Sequence, residues 1–364
     1  MEEDYNLGVI FGDNGVEMTI KILEEYKLAE KLPKAMDTVV GIKPNLVLAS
    51  PAEKGATTDP DIVEGIIKYL KEKNINNIEI LESSWVGCTT EKAFEVCGYR
   101  NLSKKWDVDL IDLKKDSYQE YEIEGETLKI CDRVMEVDYL INVPVLKAHC
   151  QTRMTCALKN MKGCIPDSEK RRYHTMGLHK PIALLNKIVE TDLVIVDGIY
   201  GDLTFEEGGN PVKMNRIIFG EKPVLVDLYA ARLLGLRYED IGYLNYFHDR
   251  LLDQPVIKSL NTPGEVTLDE NLKLSSKAKK LSRHIKSDSA CSACYGNLIH
   301  ALHRLNEQNK LSKLEESVFI GQGYRNINID GIGIGRCTEN AGIFVEGCPP
   351  ETDKIIEFLS HNLN

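Results

Sequence analysis

Apolar positions along the chain fall into short aliphatic, β-branched runs that alternate with stretches at helical spacing, the rhythm of strand–helix–strand units. Residues 38–48 (TVVGIKPNLVL) predict a strand interrupted at Pro44, and the following DPDIVEGIIKYLKEK predicts a helix with Asp59 as N-cap and Pro60 at its first position. Residues 77–81 (NIEIL) predict the next strand, followed by a helix from about Thr90 to Cys97 and a strand at 108–113 (VDLIDL). Residues 121–130 (YEIEGETLKI) alternate about a glycine, as a hairpin or edge strand does, and residues 139–146 (YLINVPVL) predict another buried strand. The helical run PIALLNKIVE leads into LVIVDG at 193–198, and RIIFG from Arg216 leads into the helical VDLYAARLLGL from Val226.

The pattern weakens between about 251 and 280, where Pro255, Pro263 and Gly264 suit a connection or a small irregular unit. Beyond it come a helix after Cys294, a strand at 318–323 (VFIGQG), a glycine-rich stretch and a terminal helix. The expected fold is therefore α/β, a mainly parallel sheet flanked by helices, with a smaller C-terminal cysteine-ligated α/β subdomain. The expected domains are 1–250, a connection at 251–280, and a C-terminal region at 281–364.

Composition changes this picture little: 43% of the 364 residues are hydrophobic and 28% charged, as in ordinary folded chains. The start, MEEDYNLGVIFGDNG, is acidic where a secretory leader is basic, and no apolar run approaches the roughly 18 residues of a membrane span, so a cytoplasmic protein without membrane partners is expected. A net charge of −11 argues against nucleic acid as a partner.

That charge is unevenly distributed. Residues 147–180 carry eight Lys/Arg against two acids, a local charge of +6 that leaves −17 for the rest. The segment follows the strand ending in NVPVLK, at the strand end where open α/β sheets bind ligands. A small anion is the expected guest, held by Arg153, Lys159, Asn160, Lys162 and Arg172, with Lys43 and Asn45 joining from the first strong strand. Lys147 and His149 are the candidates for chemistry, His149 being suited to proton transfer near neutral pH. Glu82 and Asp197, at two other strand ends, are further candidates for the same rim. The bland reading of the segment is a solvated helix face with a basic loop.

Ten cysteines without a secretory leader do not read as a disulfide framework. Cys291 and Cys294 immediately precede a helical run, where free N–H groups and the positive helix end favour thiolate. Cys337 follows DGIGIGR, whose glycines admit close backbone approach to an inorganic core, and Cys348 lies in GCPP; proline after cysteine recurs in iron–sulfur ligand runs. These four are the expected metal ligands, for a [4Fe-4S] cluster or, alternatively, zinc. Cys150, Cys156 and Cys164 read as buried or incidental thiols. DGIGIGR lacks the strand-to-helix context of a dinucleotide fingerprint, no serine-hydrolase elbow, Walker loop or H-E-x-x-H is present, and His174 and His179 are five apart, wrong for two ligands on one helical face.

The strings GIKPNL at 41–46, NVPVLKAH at 142–149, ALKNMKG at 157–163, VDG at 196–198 and DLYAARLLGL at 227–236 occur in order and together resemble the domain of unknown function 362 family. The resemblance implies an α/β protein associated with iron–sulfur clusters. Many members carry a ferredoxin-type C-x2-C-x2-C-x3-C-P run; this chain has the dispersed set instead, which implies one cluster rather than two. Three functions fit these readings. The first is a redox enzyme or electron carrier acting on a small anionic substrate or cofactor, with a redox protein as further partner. The second is a non-redox Lewis-acid lyase or isomerase of a hydroxy acid, and the third a binding or scaffold protein with a structural metal.

Overall fold

The computed structural model describes residues 7–34, 37–250, 255–261, 272, 275–314 and 317–362. In chain order its strands are β1 Leu7–Phe11, β2 Val40–Pro44, β3 Ile78–Glu82, β4 Asp109–Asp112, β5 Tyr118–Ile123, β6 Glu126–Cys131, β7 Tyr139–Val143, β8 Lys147–His149, β9 Arg153–Thr155, β10 Leu193–Asp202, β11 Pro211–Gly220, β12 Ile257–Ser259, β13 Ile285–Ser287, β14 Val318–Ile320, β15 Ile329–Ile334 and β16 Ala341–Val345. Eight of them form one sheet in the order β12-β1-β11-β10-β7-β2-β3-β4. All its neighbours pair in parallel except those of β11, which runs against both β10 and β1. The fold is α/β with a mostly parallel sheet.

Both faces of this sheet are buried, as parallel strands require. Along β10, Leu193 and Ile195 enter the core beneath the helices Gly15–Glu25 and Pro60–Glu72, while Val194 and Val196 enter the core on the other face. The Pro60–Glu72 helix begins as its sequence dictates: the Asp59 carboxylate accepts the Asp61 N–H at 3.0 Å, and Pro60 occupies the first turn, where no donor is needed. The run at 121–130 is a hairpin of β5 and β6, turned by Glu124 and Gly125, both at positive φ.

A second sheet, β13-β14-β15-β16, is wholly parallel, and the helices Ser292–Glu307 and Thr352–Asn362 help close its core of Leu298, Leu302, Val318, Ile332 and Leu359. The glycine-rich stretch before Cys337, which carried no strand signal, is β15: Gly331 stands at φ +147, where the Phe319 ring lies 2.8 Å from the place a Cβ would take. Of the stretch read as a connection, 251–254, 262–271 and 273–274 lie outside the described residues, as do the acidic residues 1–6. The described part contains β12, which adds an edge strand to the large sheet by pairing with β1.

Candidate functional site

Strands β2, β3 and β7 run side by side, so the residues at their carboxyl ends meet. Lys43, fully buried at the end of β2, places its ammonium 2.8 Å from Glu82 Oε1 at the end of β3. Glu82 also accepts the backbone N–H groups of Leu46 at 2.6 Å and Ser83 at 2.7 Å, and Lys43 donates to the Pro44 carbonyl at 2.7 Å. A buried ion pair needs such extra hydrogen bonds to offset its desolvation. Gly163 passes so close that a Cβ there would meet Glu82 Oε1 and lie 2.5 Å from Lys43 Nζ.

The segment after β7 folds over these ends. It forms the short β8–β9 hairpin, the helical turn Ala157–Asn160, a tight turn Met161–Cys164 and the helix Asp167–Thr175. Asp227, on the helix Pro223–Leu233, accepts the N–H groups of Ala157 at 2.7 Å and Leu158 at 3.3 Å, capping the turn that presents Lys159 and Asn160. Burial raises the Asp227 carboxyl to about 7, against those hydrogen bonds. Asn160 donates to Asn142 Oδ1 at 2.7 Å and to the Lys43 carbonyl at 3.2 Å, tying the turn to β7 and β2.

The result is a basic pocket lined by Asn45, Val47, Glu82, Ser83, Trp85, Thr155, Lys159, Asn160, Lys162, Gly163, Lys170, Glu206 and Ser292. Lys159 donates to Glu206 Oε1 at 3.1 Å and to Thr155 Oγ1 at 3.2 Å. Lys170 donates to the carbonyls of Ser83 at 2.8 Å and Ser84 at 2.7 Å, with Asp167 at 3.4 Å. Lys162 differs: it makes no hydrogen bond or ion pair among the described residues. Burial, reinforced by Lys159, lowers its ammonium to about 7, and burial lowers Lys170 to about 8.

Lys147 and His149, the candidates for chemistry, lie behind this lining and not in it. The Lys147 ammonium is consumed by the carbonyls of Ala56 at 2.6 Å and Glu206 at 3.0 Å, a brace for the loop that carries Glu206, and burial lowers it to about 8. His149 Nδ1 accepts the backbone N–H groups of Gln151 at 3.0 Å and Thr152 at 3.1 Å, which puts its proton on Nε2, 2.8 Å from Glu206 Oε2. Burial lowers His149 to about 4, so it stays neutral. Burial opposes the Glu206 charge, yet His149 and Lys159 hold that carboxyl well below the usual range. Asp202 builds the loop itself, accepting the N–H groups of Thr204, Phe205 and Asn210 at 2.7–2.9 Å.

Two expected anion holders also point elsewhere. Arg172 pairs with Glu169, one helical turn back, and reaches the Thr127 carbonyl; Arg153, opposite His149 in the hairpin, does not line the pocket. Asp197 spends its carboxylate on the N–H groups of Asp59 at 2.8 Å and Ile199 at 3.0 Å. Conversely, Glu206, Lys170, Trp85 and Ser292 were not singled out from the sequence. Glu206 carries no local signal, since FEEGG reads as an ordinary acidic turn.

Beside the basic pocket lies a second one, lined by Cys291, Cys294, Cys337 and Cys348 together with Arg171, Arg325, Arg336, Gln322 and Gly335. Cys291 caps the helix Ser292–Glu307 and Cys294 sits in its first turn; Cys337 follows β15 and Cys348 follows β16. Burial raises the Cys291 thiol, and Cys337 and Cys348 raise it further, so the sulfurs feel one another. Arg325 Nε donates to Cys337 Sγ at 3.4 Å, and a Cβ on Gly335 would lie 3.9 Å from Cys294 Sγ. All ten cysteines are free thiols.

The two pockets share walls. Ser292 lines one and Cys291 the other; Lys170 lines one and Arg171 the other. His174 Nε2 accepts the Ser292 N–H at 3.3 Å, Gln151 donates to the Ala290 carbonyl at 3.0 Å and Gln322 to the Arg171 carbonyl at 2.9 Å. A third grouping, His149, Cys150 and Glu206, brings one ligand atom each within 4.8 Å of the others and could hold a metal ion. A larger cavity of about 400 Å³ lies at the amino end of β10, lined by Leu158, Asp192, Lys222 and Phe247 among others.

Residues 40–232, more than half of the chain, match the model of the family described as Domain of unknown function (DUF362). The chain belongs to this family. A thylakoid-associated protein of Synechocystis sp. is 26% identical over 177 residues, 47% of this chain and 53% of that protein, so the match spans about half the length of that relative. Among solved structures, the lactate racemase apoprotein of Thermoanaerobacterium thermosaccharolyticum overlaps 58% of this chain and 53% of its own at 13% identity and a TM-score of 0.36. A Thermotoga maritima protein overlaps 66% of this chain and 59% of its own at 15% identity and a TM-score of 0.38. Overlaps that loose transfer neither activity nor ligand. Among the described residues, no helix is long and apolar enough to cross a membrane.

Proposed function

We propose that this member of the family is an iron–sulfur redox protein that exchanges electrons with a small anion held in the basic pocket. The observation that carries this reading is the shared wall: consecutive residues, Cys291 with Ser292 and Lys170 with Arg171, line the cysteine pocket and the basic pocket in turn. A cluster held by the cysteines would therefore border an anion held by the lysines.

Cys291, Cys294, Cys337 and Cys348 would hold the [4Fe-4S] cluster, which supplies reversible one-electron transfer when bound. Four Zn–S bonds of about 2.3 Å require thiolates about 3.8 Å apart, whereas a cuboidal core holds them wider. Among the described residues no three of these sulfurs lie within 4.8 Å of one another, which favours the larger core over a single zinc ion. Arg325, Arg171 and Arg336 bring positive charge to a site that would carry several thiolates. The four-thiolate complement also favours electron transfer over a Lewis-acid role, which needs an open iron.

In the basic pocket Lys159, Lys162 and Lys170 attract the anion, while Val47 and Trp85 provide an apolar wall for its carbon part. His149 acts through Glu206: its Nε2 lies 2.8 Å from the carboxylate that holds Lys159 in place. Electrons would come from, or go to, a one-electron carrier protein at the side where Cys348 is exposed.

Anaerobic purification followed by iron, sulfide and zinc analysis tests the reading. A brown protein with equal iron and sulfide, a reversible one-electron signal on dithionite reduction, and loss of that signal in Cys337→Ser are expected. A colourless protein with one zinc per chain overturns it.

A further inference from the structure

Most polar groups in the lining of the basic pocket already have partners. Lys159 is held by Glu206 at 3.1 Å and Thr155 at 3.2 Å, and Lys170 by the carbonyls of Ser83 at 2.8 Å and Ser84 at 2.7 Å. The Asn160 amide is tied to Asn142 at 2.7 Å, and the Glu82 carboxylate receives Lys43 and the N–H groups of Leu46 and Ser83. Two lining groups of opposite kind are left over among the described residues. The Lys162 ammonium, a donor, has no partner, and Asn45 Oδ1, an acceptor, is buried without a hydrogen bond. Asn45 is 6% exposed and its backbone is fixed on both sides: its N–H donates to Thr58 Oγ1 at 2.8 Å, and its carbonyl accepts the Thr58 N–H at 2.9 Å. Thr58 Oγ1 in turn donates to the Val143 carbonyl at 2.7 Å, anchoring the arrangement to the end of β7. A buried acceptor left without a donor is costly, so such a group in a pocket wall points to a donor carried by the ligand.

We infer that the basic pocket is built for a compact oxyacid that carries its own hydroxyl group, the acid set against Lys162 and the hydroxyl donating to Asn45 Oδ1. The inference rests on the anion-binding half of the reading above and names the class of that anion. An acid group alone sets one acceptor against another at Asn45. A hydroxyl beside it supplies the missing hydrogen. Size narrows the class further. The pocket offers about 80 Å³ of space, against roughly 300 Å³ or more in pockets that take drug-sized ligands and cofactors. A nucleotide, dinucleotide or flavin is too large for it, whereas an acid of about two or three carbons fits, with Val47 and Trp85 against its carbon part. A protonated inorganic oxyanion presents the same two groups on one centre, and the choice of probes separates the two sources.

The test is calorimetric binding of four probes to the purified full chain at pH 6, where inorganic phosphate is mostly the singly charged dihydrogen form. Glycolate and acetate differ by one hydroxyl, and glycolate is expected to bind roughly tenfold more tightly because only it brings the donor. Asn45→Ala removes the acceptor and keeps the backbone bonds to Thr58, and it should bring the two acids within about twofold of each other. Lys162→Gln should weaken every probe, by roughly tenfold for the charge lost. Equal affinities for glycolate and acetate in the unaltered protein overturn the inference and leave the anion reading standing. A glycolate preference that survives Asn45→Ala overturns the assignment to Asn45, and the comparison in the unaltered protein decides the hydroxyl requirement should that variant fail to fold. Failure of all four probes to bind overturns the inference together with the anion-binding half of the reading, while iron and sulfide analysis of the same preparation reports on the redox half alone. Once glycolate has outbound acetate, the inorganic pair fixes the source. Sulfate has the larger charge and no hydroxyl, so dihydrogen phosphate binding above sulfate admits protonated inorganic oxyanions to the class, and the reverse order confines it to carbon acids.

Discussion

The basic pocket and the cysteine pocket sit side by side yet are built on opposite principles. In the first, the protein supplies most of its own counter-charges: Glu82 neutralises Lys43, Glu206 neutralises Lys159, and backbone carbonyls take the ammoniums of Lys147 and Lys170. In the second, four thiols converge with three arginines nearby and no carboxylate in the lining. One pocket supplies most of its own counter-charges and leaves one cation, Lys162, without a partner among the described residues; the other gathers four sulfur donors of one kind. Satisfied buried charge fixes a shape, and unsatisfied donors select a guest.

This contrast can be broken most decisively on the sulfur side. Cys294→Ser should abolish stable iron loading, read as loss of iron, of sulfide and of the absorption near 400 nm; full loading in that variant would mean that the cysteine pocket is not the metal centre. Next in size is Glu82→Gln, which strands the buried Lys43 ammonium. It should lower the free energy of unfolding by about 3–5 kcal/mol in urea titrations, whereas Lys162→Gln, removing a cation that has no partner, should leave stability unchanged or raise it slightly. Similar losses in both would erase the distinction between matched and unpartnered lysines.

A smaller effect follows from pH. Lys162 is held near 7 and Lys170 near 8, both lowered by burial, so both are charged below those values and neutral above them. Sulfate binding should therefore be strong at pH 6 and fall as pH rises through 7 and 8, by roughly tenfold for each charge lost. Stability runs the other way. Because the folded values of Lys147 and Lys170, each about 8, lie below the ordinary 10.5, unfolding takes up protons between these limits, and their burial penalty is relieved as pH rises from about 8. The smallest effect sharpens the map: Arg172→Ala, which removes a guanidinium already paired with Glu169 outside the pocket, should leave sulfate affinity within about twofold, since ordinary surface pairs contribute little. A loss comparable to that of Lys162→Gln would return Arg172 to the binding site.

Much of the fold was legible because its signals are local. The Asp59–Pro60 helix start, the alternating hairpin at 121–130 and the buried runs of β2, β3, β7 and β10 each follow from a few neighbouring residues. Strand direction and partner choice are not local: nothing in RIIFG says that β11 runs against its neighbours, and nothing in the weakly patterned segment before 280 says that Ile257–Ser259 joins the far edge of the sheet. The same limit governs the site. The concentration of lysines between 147 and 180 was plain, but which of them would be neutralised depended on carboxylates at 82 and 206, brought in by tertiary folding. Arg172 is the exception, because Glu169 three residues earlier already marks it as half of a helical pair. The four cysteines were visible through their neighbours, a helix start, a glycine run and a proline pair; that they border the basic pocket could be seen only in three dimensions.

Gly163 carries a consequence for how this protein can change. The space where the first carbon of any side chain would go is already filled by the ends of Lys43 and Glu82. Even alanine there would act as a wedge, prying two opposite charges apart without altering either one. Substitution can explore the rim freely, but the floor beneath it is closed to gradual alteration: three positions far apart in the chain would have to change together or stay as they are.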